Sequence, residues 1–285
     1  MKKMRIMSLL IVAVMVLAML GGCAKTELTY TVLEFGTSDG VDQGKHTQDI
    51  PEWSSEKVDP HADASAPAEI SVAFNGVTYT GNYEWSETRM PNAFVSHIYK
   101  QKLENGDTVR FRIHAQTHEL TFISINHKME ESASLEEAEC RKIADAVADD
   151  YISLKDYKVK VDSNKDYDYR SYTYTYYREV SGYETTDRIR IVVKGNGVIS
   201  SCDKSMVGTF KNVKRLAIDE EKATVAVSEK LKDIYGHLGT MTGYTIRSKE
   251  WVKTADDQCG WLYTVDVDFR DGNYLSGSMI KLLLV

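Results

Sequence analysis

The chain has 285 residues, of which 27% are charged, and a formal net charge of −7. Because nucleic-acid phosphates are bound by clustered Lys and Arg, this acidic balance argues against nucleic acid as a partner and against a second, polybasic contact with a membrane surface. We therefore expect no nucleic acid among the partners.

The first predicted element is an export signal. Lys2, Lys3 and Arg5 precede an apolar run from Ile6 to Leu20, which is the order of a charged region followed by a hydrophobic one. This run of 15 residues is shorter than the roughly 20 apolar residues that a membrane-spanning helix needs. The pattern therefore predicts a signal peptide over residues 1–22.

The signal ends at Leu20-Gly21-Gly22-Cys23, which resembles the lipobox of bacterial lipoproteins. The resemblance implies that residues 1–22 are removed and that Cys23, with a diacylglyceryl group on its sulfur, becomes the first residue. Two or more acyl chains give stable attachment, so we expect a lipid anchor on the extracytoplasmic face of the cell membrane. Removal of Lys2, Lys3 and Arg5 changes the formal net charge from −7 to −10.

Residues 23–68 are predicted to be the lipidated cysteine and a flexible tether. Few large aliphatic residues follow Phe35, and residues 58–68 (VDPHADASAPA) have low sequence complexity. Within the tether, residues 29–35 have the pattern of a strand that returns to the folded part. Residues 36–40 (GTSDG) match the Gly-x-Ser-x-Gly motif of hydrolases, but no helical pattern follows them, so we interpret the match as accidental.

From Glu69 onward the dominant signal is the two-residue period of half-buried strands. Two segments depart from it. In residues 134–154, Ser134 and Glu137 form a capping-box pattern, and an apolar stripe with helical spacing follows. Its members are Leu135, Ala138, Ile143, Val147, Tyr151 and Leu154. In residues 219–235, Asp219 is a candidate N-cap before a second stripe, formed by Ala223, Val227, Leu231 and Ile234. Two amphipathic helices are predicted.

The strand pattern also repeats. Residues 107–113 (DTVRFRI) resemble residues 187–193 (DRIRIVV), and the two helices begin 85 residues apart. We therefore predict an α+β fold of antiparallel β-meanders with the two helices packed on the sheets, as repeated helix-plus-meander units. The predicted units are a β-rich unit over 69–133, a helix-plus-meander unit over 134–213 and a second one over 214–285.

The capped helix and the turn Asn196-Gly197-Val198-Ile199 resemble the PepSY-type repeats of bacterial envelope proteins. The resemblance covers residues 134–285. It implies a non-catalytic binding role, because PepSY-like domains are associated with binding, including inhibitory attachment to peptidases. No site residue is implied by it.

Candidate metal and redox residues give no complete pattern. Cys140, Cys202 and Cys259 are an odd set, so at most one disulfide joins two of them, or all three are free thiols. His114, His118 and Glu119 have the spacing of a helical zinc site, but the local period predicts a hairpin. The acidic segment 162–168 begins like a calcium loop and lacks its Gly and its final Glu. We expect no metal and no cofactor.

A run of tyrosines is the strongest candidate site in the sequence. In a strand, Tyr172, Tyr174 and Tyr176 share one face. Such a row of rings could bind a glycan or an apolar ridge of a partner protein. The alternative is that this face packs beneath a helix or pairs across strands, since tyrosine is common in strands without any ligand.

Together these features predict a membrane-anchored extracytoplasmic protein that binds an envelope protein or glycan and is not an enzyme. One alternative is a cell-envelope hydrolase that uses an acid pair such as Asp266 and Asp268, which alternation places on one face of a strand. Another is a folding or assembly factor for exported proteins.

Overall fold

The computed structural model describes residues 32–38, 57–58, 65–89, 94–127, 135–166, 169–235, 240–253, 259–271 and 274–285. The predicted signal peptide, Cys23 and most of the predicted tether lie outside these residues. Among the described residues, no helix has both the length and the apolar character needed to cross a membrane.

The described residues form fourteen strands and two α-helices. The strands before the first helix are β1 (Val32–Ser38), β2 (Lys57–Val58), β3 (Glu69–Phe74), β4 (Val77–Arg89), β5 (Phe94–Lys102), β6 (Thr108–His114) and β7 (Leu120–Asn126). Helix α1 (Glu137–Asp149) and a 3-10 turn (Leu154–Asp156) follow. Next come β8 (Lys158–Asp166), β9 (Tyr169–Val180), β10 (Tyr183–Lys194), β11 (Ile199–Ser205), helix α2 (Glu220–Tyr235), β12 (Thr240–Lys253), β13 (Cys259–Asp271) and β14 (Tyr274–Leu284).

All fourteen strands belong to one mixed sheet, whose main path runs β1-β14-β13-β12-β10-β11-β7-β6-β5-β4-β2. The strands β3, β8 and β9 branch from this path, with β3 on β4, β8 on β9 and β9 on β10. Neighbouring strands are antiparallel except β10 and β12, which run parallel where Thr185 lies opposite Trp251.

The predicted α+β fold of repeated helix-plus-meander units is therefore wrong. Strands from different predicted units pair with each other: β7 pairs with β11, and β10 pairs with β12. An unpaired edge leaves backbone N–H and C=O groups without partners, and pairing across the predicted unit boundaries satisfies them. The described residues accordingly form one large sheet with two helices, and β1, which lies within the predicted tether, pairs with β14.

Each predicted helical segment contains a helix, but only the stripe predicted for the second helix is buried as a whole. In α2 the predicted stripe is buried, and the Asp219 carboxylate accepts a hydrogen bond from the Lys222 backbone N–H at 3.1 Å, as an N-cap does. Helix α1 is shorter than predicted: it runs from Glu137 to Asp149, so Leu135, Tyr151 and Leu154 of the predicted stripe lie outside it. At its start the Glu139 carboxylate accepts from the Glu136 N–H, so the capping pair differs from the predicted Ser134 and Glu137.

Each helix covers its own hydrophobic core. The first core lies between α1 and the strands around β6, β7, β9, β10 and β11, and the second lies between α2 and β12, β13 and β14. The buried face of α1 consists mostly of small residues, namely Cys140, Ala144, Val147 and Ala148, whereas Ala138 of the predicted stripe is exposed. Small side chains let α1 approach the large tyrosine rings of β9 closely.

Candidate binding cleft

A cleft with a volume of about 560 Å³ opens beside the C-terminal end of α1. Three segments form it: the β6–β7 hairpin, the chain from Tyr151 to Tyr157, and the end of β11 with the turn that follows it. Arg178 at the end of β9 also reaches the cleft. The lining residues are His114, Thr117, Glu119, Leu120, Thr121, Tyr151, Ile152, Ser153, Asp156, Tyr157, Arg178, Lys204, Met206, Val207, Gly208, Thr209 and Lys211. Volumes of this size are typical of pockets that bind small molecules or peptide side chains.

The buried carboxylate of Asp187 lies behind the cleft and holds its wall in place. Its two oxygens accept hydrogen bonds from the Tyr157 hydroxyl at 2.5 Å and from Arg178 Nε at 3.0 Å. They also accept from the backbone N–H groups of Gly208 and Phe210, at 2.9 and 3.2 Å. Since Asp187 is 0% exposed, these four donors satisfy a charge that water does not reach.

Asp187 occupies this position because β10 is irregular there. The register between β9 and β10 shifts between Glu184 and Arg188, and residues 185–187 are buried. The Asp187 backbone N–H donates to Thr185 Oγ1 at 3.2 Å within this irregular segment. Thr185 in the same segment also makes the parallel contact to β12. Residues 185–187 therefore support the cleft wall and also join β10 to β12.

Lys204 places a positive charge on the core-facing side of β11. Lys204 on β11 lies opposite Ile189 on β10. Cys202, two residues earlier on β11, lies opposite Ile191. Residues two apart in a strand share a face, and Cys202 and both isoleucines are buried, so the stem of Lys204 extends across the core side. Its ammonium lies 3.9 Å from the centre of the Tyr151 ring.

The surroundings of Lys204 disfavour its charge. Burial lowers the pKa of Lys204, and the nearby Glu119 carboxylate opposes this effect in part. No ion pair to Lys204 exists within the described parts of the chain; its ammonium contacts the face of the Tyr151 ring instead. Burial likewise raises the pKa of Tyr151 to about 12, so this ring stays neutral beside the lysine.

The β6–β7 hairpin confirms the turn predicted for His114, His118 and Glu119. His114 Nδ1 accepts the backbone N–H groups of Gln116 and Thr117, each at 3.2 Å, and His118 adopts a left-handed backbone with φ of 57°. His114 and Glu119 line the cleft, and burial lowers the pKa of His114. In the described portion of the chain, no group of three or more His, Cys, Asp or Glu side chains is arranged to hold a metal ion.

The structure places the predicted tyrosine row in the core and not on the surface. Tyr172, Tyr174 and Tyr176 are at most 2% exposed. The Tyr174 hydroxyl donates to the Glu137 carbonyl at 2.7 Å, and the Tyr176 hydroxyl donates to Asp145 Oδ1 at 2.6 Å. Because helix α1 covers this face, the hypothesis of an open aromatic platform at these three residues is corrected in favour of packing beneath a helix.

The other candidate residues lie apart from the cleft. The Asp266 carboxylate is paired with Arg247, and Asp268 is exposed on the same strand. The first part of the calcium-like segment, Asp162 to Asn164, belongs to β8 and is exposed. Ser38 of the Gly-x-Ser-x-Gly match is the last residue of strand β1, and Asp39 and Gly40 lie outside the described residues.

Cys140, Cys202 and Cys259 form no disulfide within the described part of the chain. Cys140 and Cys202 are both buried within the first core, and Cys259 lies at the start of β13. Of the two alternatives left open by the sequence, the structure therefore has the one without a disulfide.

No family model matches the chain, and no curated protein matches it. Among solved structures it is similar to the Bacillus megaterium YpeB C-terminal domain, with a TM-score of 0.36 and 8% identity over 69% of this chain and 90% of that one. It is also similar to MucB in complex with MucA(peri), with a TM-score of 0.14 and 10% identity over 76% of this chain and 86% of that one. For the Pseudomonas aeruginosa MucA/MucB complex the TM-score is 0.11, with 9% identity and the same two coverages. MucB is bound to MucA in these structures, and no residue role is transferred to this chain.

Proposed function

We propose that the chain is a lipoprotein that is anchored by Cys23 to the extracytoplasmic face of the cell membrane and that binds another envelope protein there without catalysing a reaction. The anchor is supported by the charged start, the 15-residue apolar run and the lipobox-like Leu20-Gly21-Gly22-Cys23. A distant relation to PepSY-like domains, without the repeated units, belongs to this proposal as well.

The cleft beside α1 is the observation that carries the binding function. It combines apolar side chains such as Ile152 and Val207 with polar and charged groups such as Lys204, a mixture that is typical of recognition sites. Its wall is fixed by the Asp187 hydrogen bonds, so the cleft exists before any partner arrives. A preformed site loses less conformational entropy on binding than one that must be ordered.

Membrane attachment is tested by fractionation of cells that express the full chain. We expect the wild-type protein in the membrane fraction, with a diacylglyceryl-modified Cys23 as the first residue by mass spectrometry. The Cys23→Ser variant should lose the modification. An unmodified Cys23 in the natural product, or an intact start at Met1, would contradict the anchor.

Partner binding is tested by photo-crosslinking in intact membranes. A photo-crosslinking phenylalanine analogue replaces Thr117, which is exposed and lines the cleft. The matched control carries the same analogue at Val77, which is 49% exposed at the β3–β4 turn and is not part of the cleft lining. We expect a discrete protein adduct from position 117 and none from position 77. Equal adducts from both positions, or none from either, would argue against a partner at the cleft.

A further inference from the structure

Three cationic side chains line the cleft, and they differ in what already compensates their charge. Arg178 is paired with the buried Asp187 carboxylate at 3.0 Å, and its guanidinium lies 4.7 Å from the centre of the Tyr157 ring. Lys211 is exposed, so water compensates its charge. Lys204 is compensated less than either, because it is half-buried and forms no ion pair with a carboxylate within the described residues.

We infer that the cleft binds a carboxylate carried on an apolar group, with the ammonium of Lys204 as the direct partner of the carboxylate. This inference rests on the proposed binding function and adds the chemistry of the ligand. A carboxylate at this position would supply the charge-assisted hydrogen bonds that the lysine lacks in the free protein. The ring of Tyr151 would stay on the other side of the ammonium, where it already lies.

The charges around the cleft favour a ligand with a single negative charge. Glu119 and Asp156 line the cleft on its exposed side, whereas the charge of the Asp187 carboxylate is already compensated by Arg178. A phosphate group, with close to two negative charges at neutral pH, would be repelled by these carboxylates more strongly than a carboxylate would be. The two exposed carboxylates therefore favour a monoanion over a dianion.

The remaining lining favours an apolar group attached to that carboxylate. Ile152 is buried at the base of the cleft, and Leu120, Tyr157, Met206 and Val207 are half-buried around it. Apolar surface of this kind gains free energy when it is covered by another apolar group, at roughly 25 cal/mol per Å². Two sources offer both features: the C-terminal residue of a polypeptide and a free aromatic or aliphatic acid.

Isothermal titration of the full-length chain in detergent tests the inference with defined probes. The probes are N-acetyl-leucyl-phenylalanine, the same compound with a C-terminal amide, and phenylacetate. We expect the free acid to bind more tightly than the amide by about tenfold or more, because a charge-assisted hydrogen bond is lost in the amide. Tighter binding of the peptide acid than of phenylacetate would identify a polypeptide C-terminus as the source, and equal binding would identify a small organic acid.

Two variants make the result specific to Lys204. Lys204→Met keeps most of the apolar stem and should remove the preference for the acid over the amide, while Lys204→Arg keeps the charge and should retain that preference. Lys211→Met, at the exposed rim, should change the affinity by less than about threefold. The melting temperature of each variant shows whether it is folded.

Equal affinity for the acid and the amide, no binding of either acid, or undiminished acid binding by folded Lys204→Met would overturn the inference. An adduct from position 117 in the crosslinking experiment would then leave the proposed binding function standing. Selective binding of the acid without an adduct from position 117 would instead support the carboxylate ligand and argue against a protein partner.

Discussion

The hydroxyl of Tyr176 donates a hydrogen bond of 2.6 Å to the carboxylate of Asp145, which ties the middle of β9 to helix α1. Arg141 Nε donates to the same carboxylate at 2.7 Å, so the helix presents an ordered acceptor to the strand below it. Burial raises the pKa of Tyr176, and the phenol stays protonated as the donor. The tyrosines of β9 are therefore structural residues of the first core.

Substitutions in β9 should accordingly change stability. Tyr176→Phe should lower the free energy of unfolding by about 1 kcal/mol, because one hydrogen bond is lost while the ring remains. Tyr176→Ser should lower it by roughly 3–5 kcal/mol, because the ring leaves a cavity. Urea denaturation measures both. Tyr177→Phe is the matched control, since that residue lies half-buried on the opposite face. Tyr176→Ser protein as stable as wild type would contradict a core role.

Replacement of the carboxylate behind the cleft should have a large effect. Asp187→Asn removes the negative charge that Arg178 pairs with and places an amide NH2 group among the buried donors, and breaking a buried ion pair in this way typically costs about 3–5 kcal/mol. One of the Gly208 and Phe210 amides should also exchange with solvent deuterium faster, because the asparagine NH2 group replaces the oxygen that accepts its hydrogen bond. Asp162→Asn, at an exposed position of β8, should leave both measurements unchanged. Unaltered amide exchange in Asp187→Asn would show that the turn does not depend on this carboxylate.

Binding of the acid probe should depend on pH through Lys204. Because burial lowers the pKa of Lys204 from its ordinary value of 10.5, the lysine loses its proton at a lower pH than an exposed lysine does. Affinity for N-acetyl-leucyl-phenylalanine should therefore fall as pH rises through that lowered pKa. Two neutral neighbours, Tyr151 and Cys202, have pKa values raised to about 12 by burial and do not titrate first. The hairpin contributes Glu119 and His114, and burial lowers the pKa of His114, so this imidazole is uncharged in that range.

Titrations across a pH series test this dependence. Lys204→Arg keeps its charge throughout, so its affinity should stay constant where that of the wild type falls. A parallel fall in both proteins would assign the pH dependence to another group.

The buried thiols should be unreactive in the native state. Burial raises the pKa of Cys202 to about 12 and also raises that of Cys140, and the thiolate is the reactive form. Iodoacetamide should therefore label both residues only after unfolding, as mass spectrometry of peptides can show. Rapid labelling of Cys202 in folded protein would mean that the first core opens readily.

The sequence predicts local features of this fold better than distant ones. Helix α2 follows from its own residues, because the Asp219 cap and a stripe at helical spacing are both local signals. The joining of the sheet does not follow in this way. The pairing of β10 with β12 depends on a contact between Thr185 and Trp251, which are 66 residues apart in the chain. This contact lies in an irregular segment of β10, which the alternation of apolar and polar residues does not reveal.

The site illustrates the same limit. Alternation correctly places Tyr172, Tyr174 and Tyr176 on one face, but only the position of α1 decides that the face is buried. For Lys204 a signal was available: it follows the apolar Cys202 at a spacing of two, which puts a lysine on a core-facing position. The cleft that Lys204 lines is formed by segments far apart in the chain, so the sequence pattern alone does not predict it.

The yield of the crosslink from position 117 in membranes, measured with and without the cleft-filling substitution Ser153→Trp, shows whether the partner binds in the cleft. Ser153 is exposed on the cleft lining and its side chain caps no helix, so the indole can fill the cleft without a lost hydrogen bond. If the partner binds in the cleft, Ser153→Trp should abolish the adduct while the melting temperature stays at the wild-type value. An undiminished adduct in the folded Ser153→Trp protein would contradict the account.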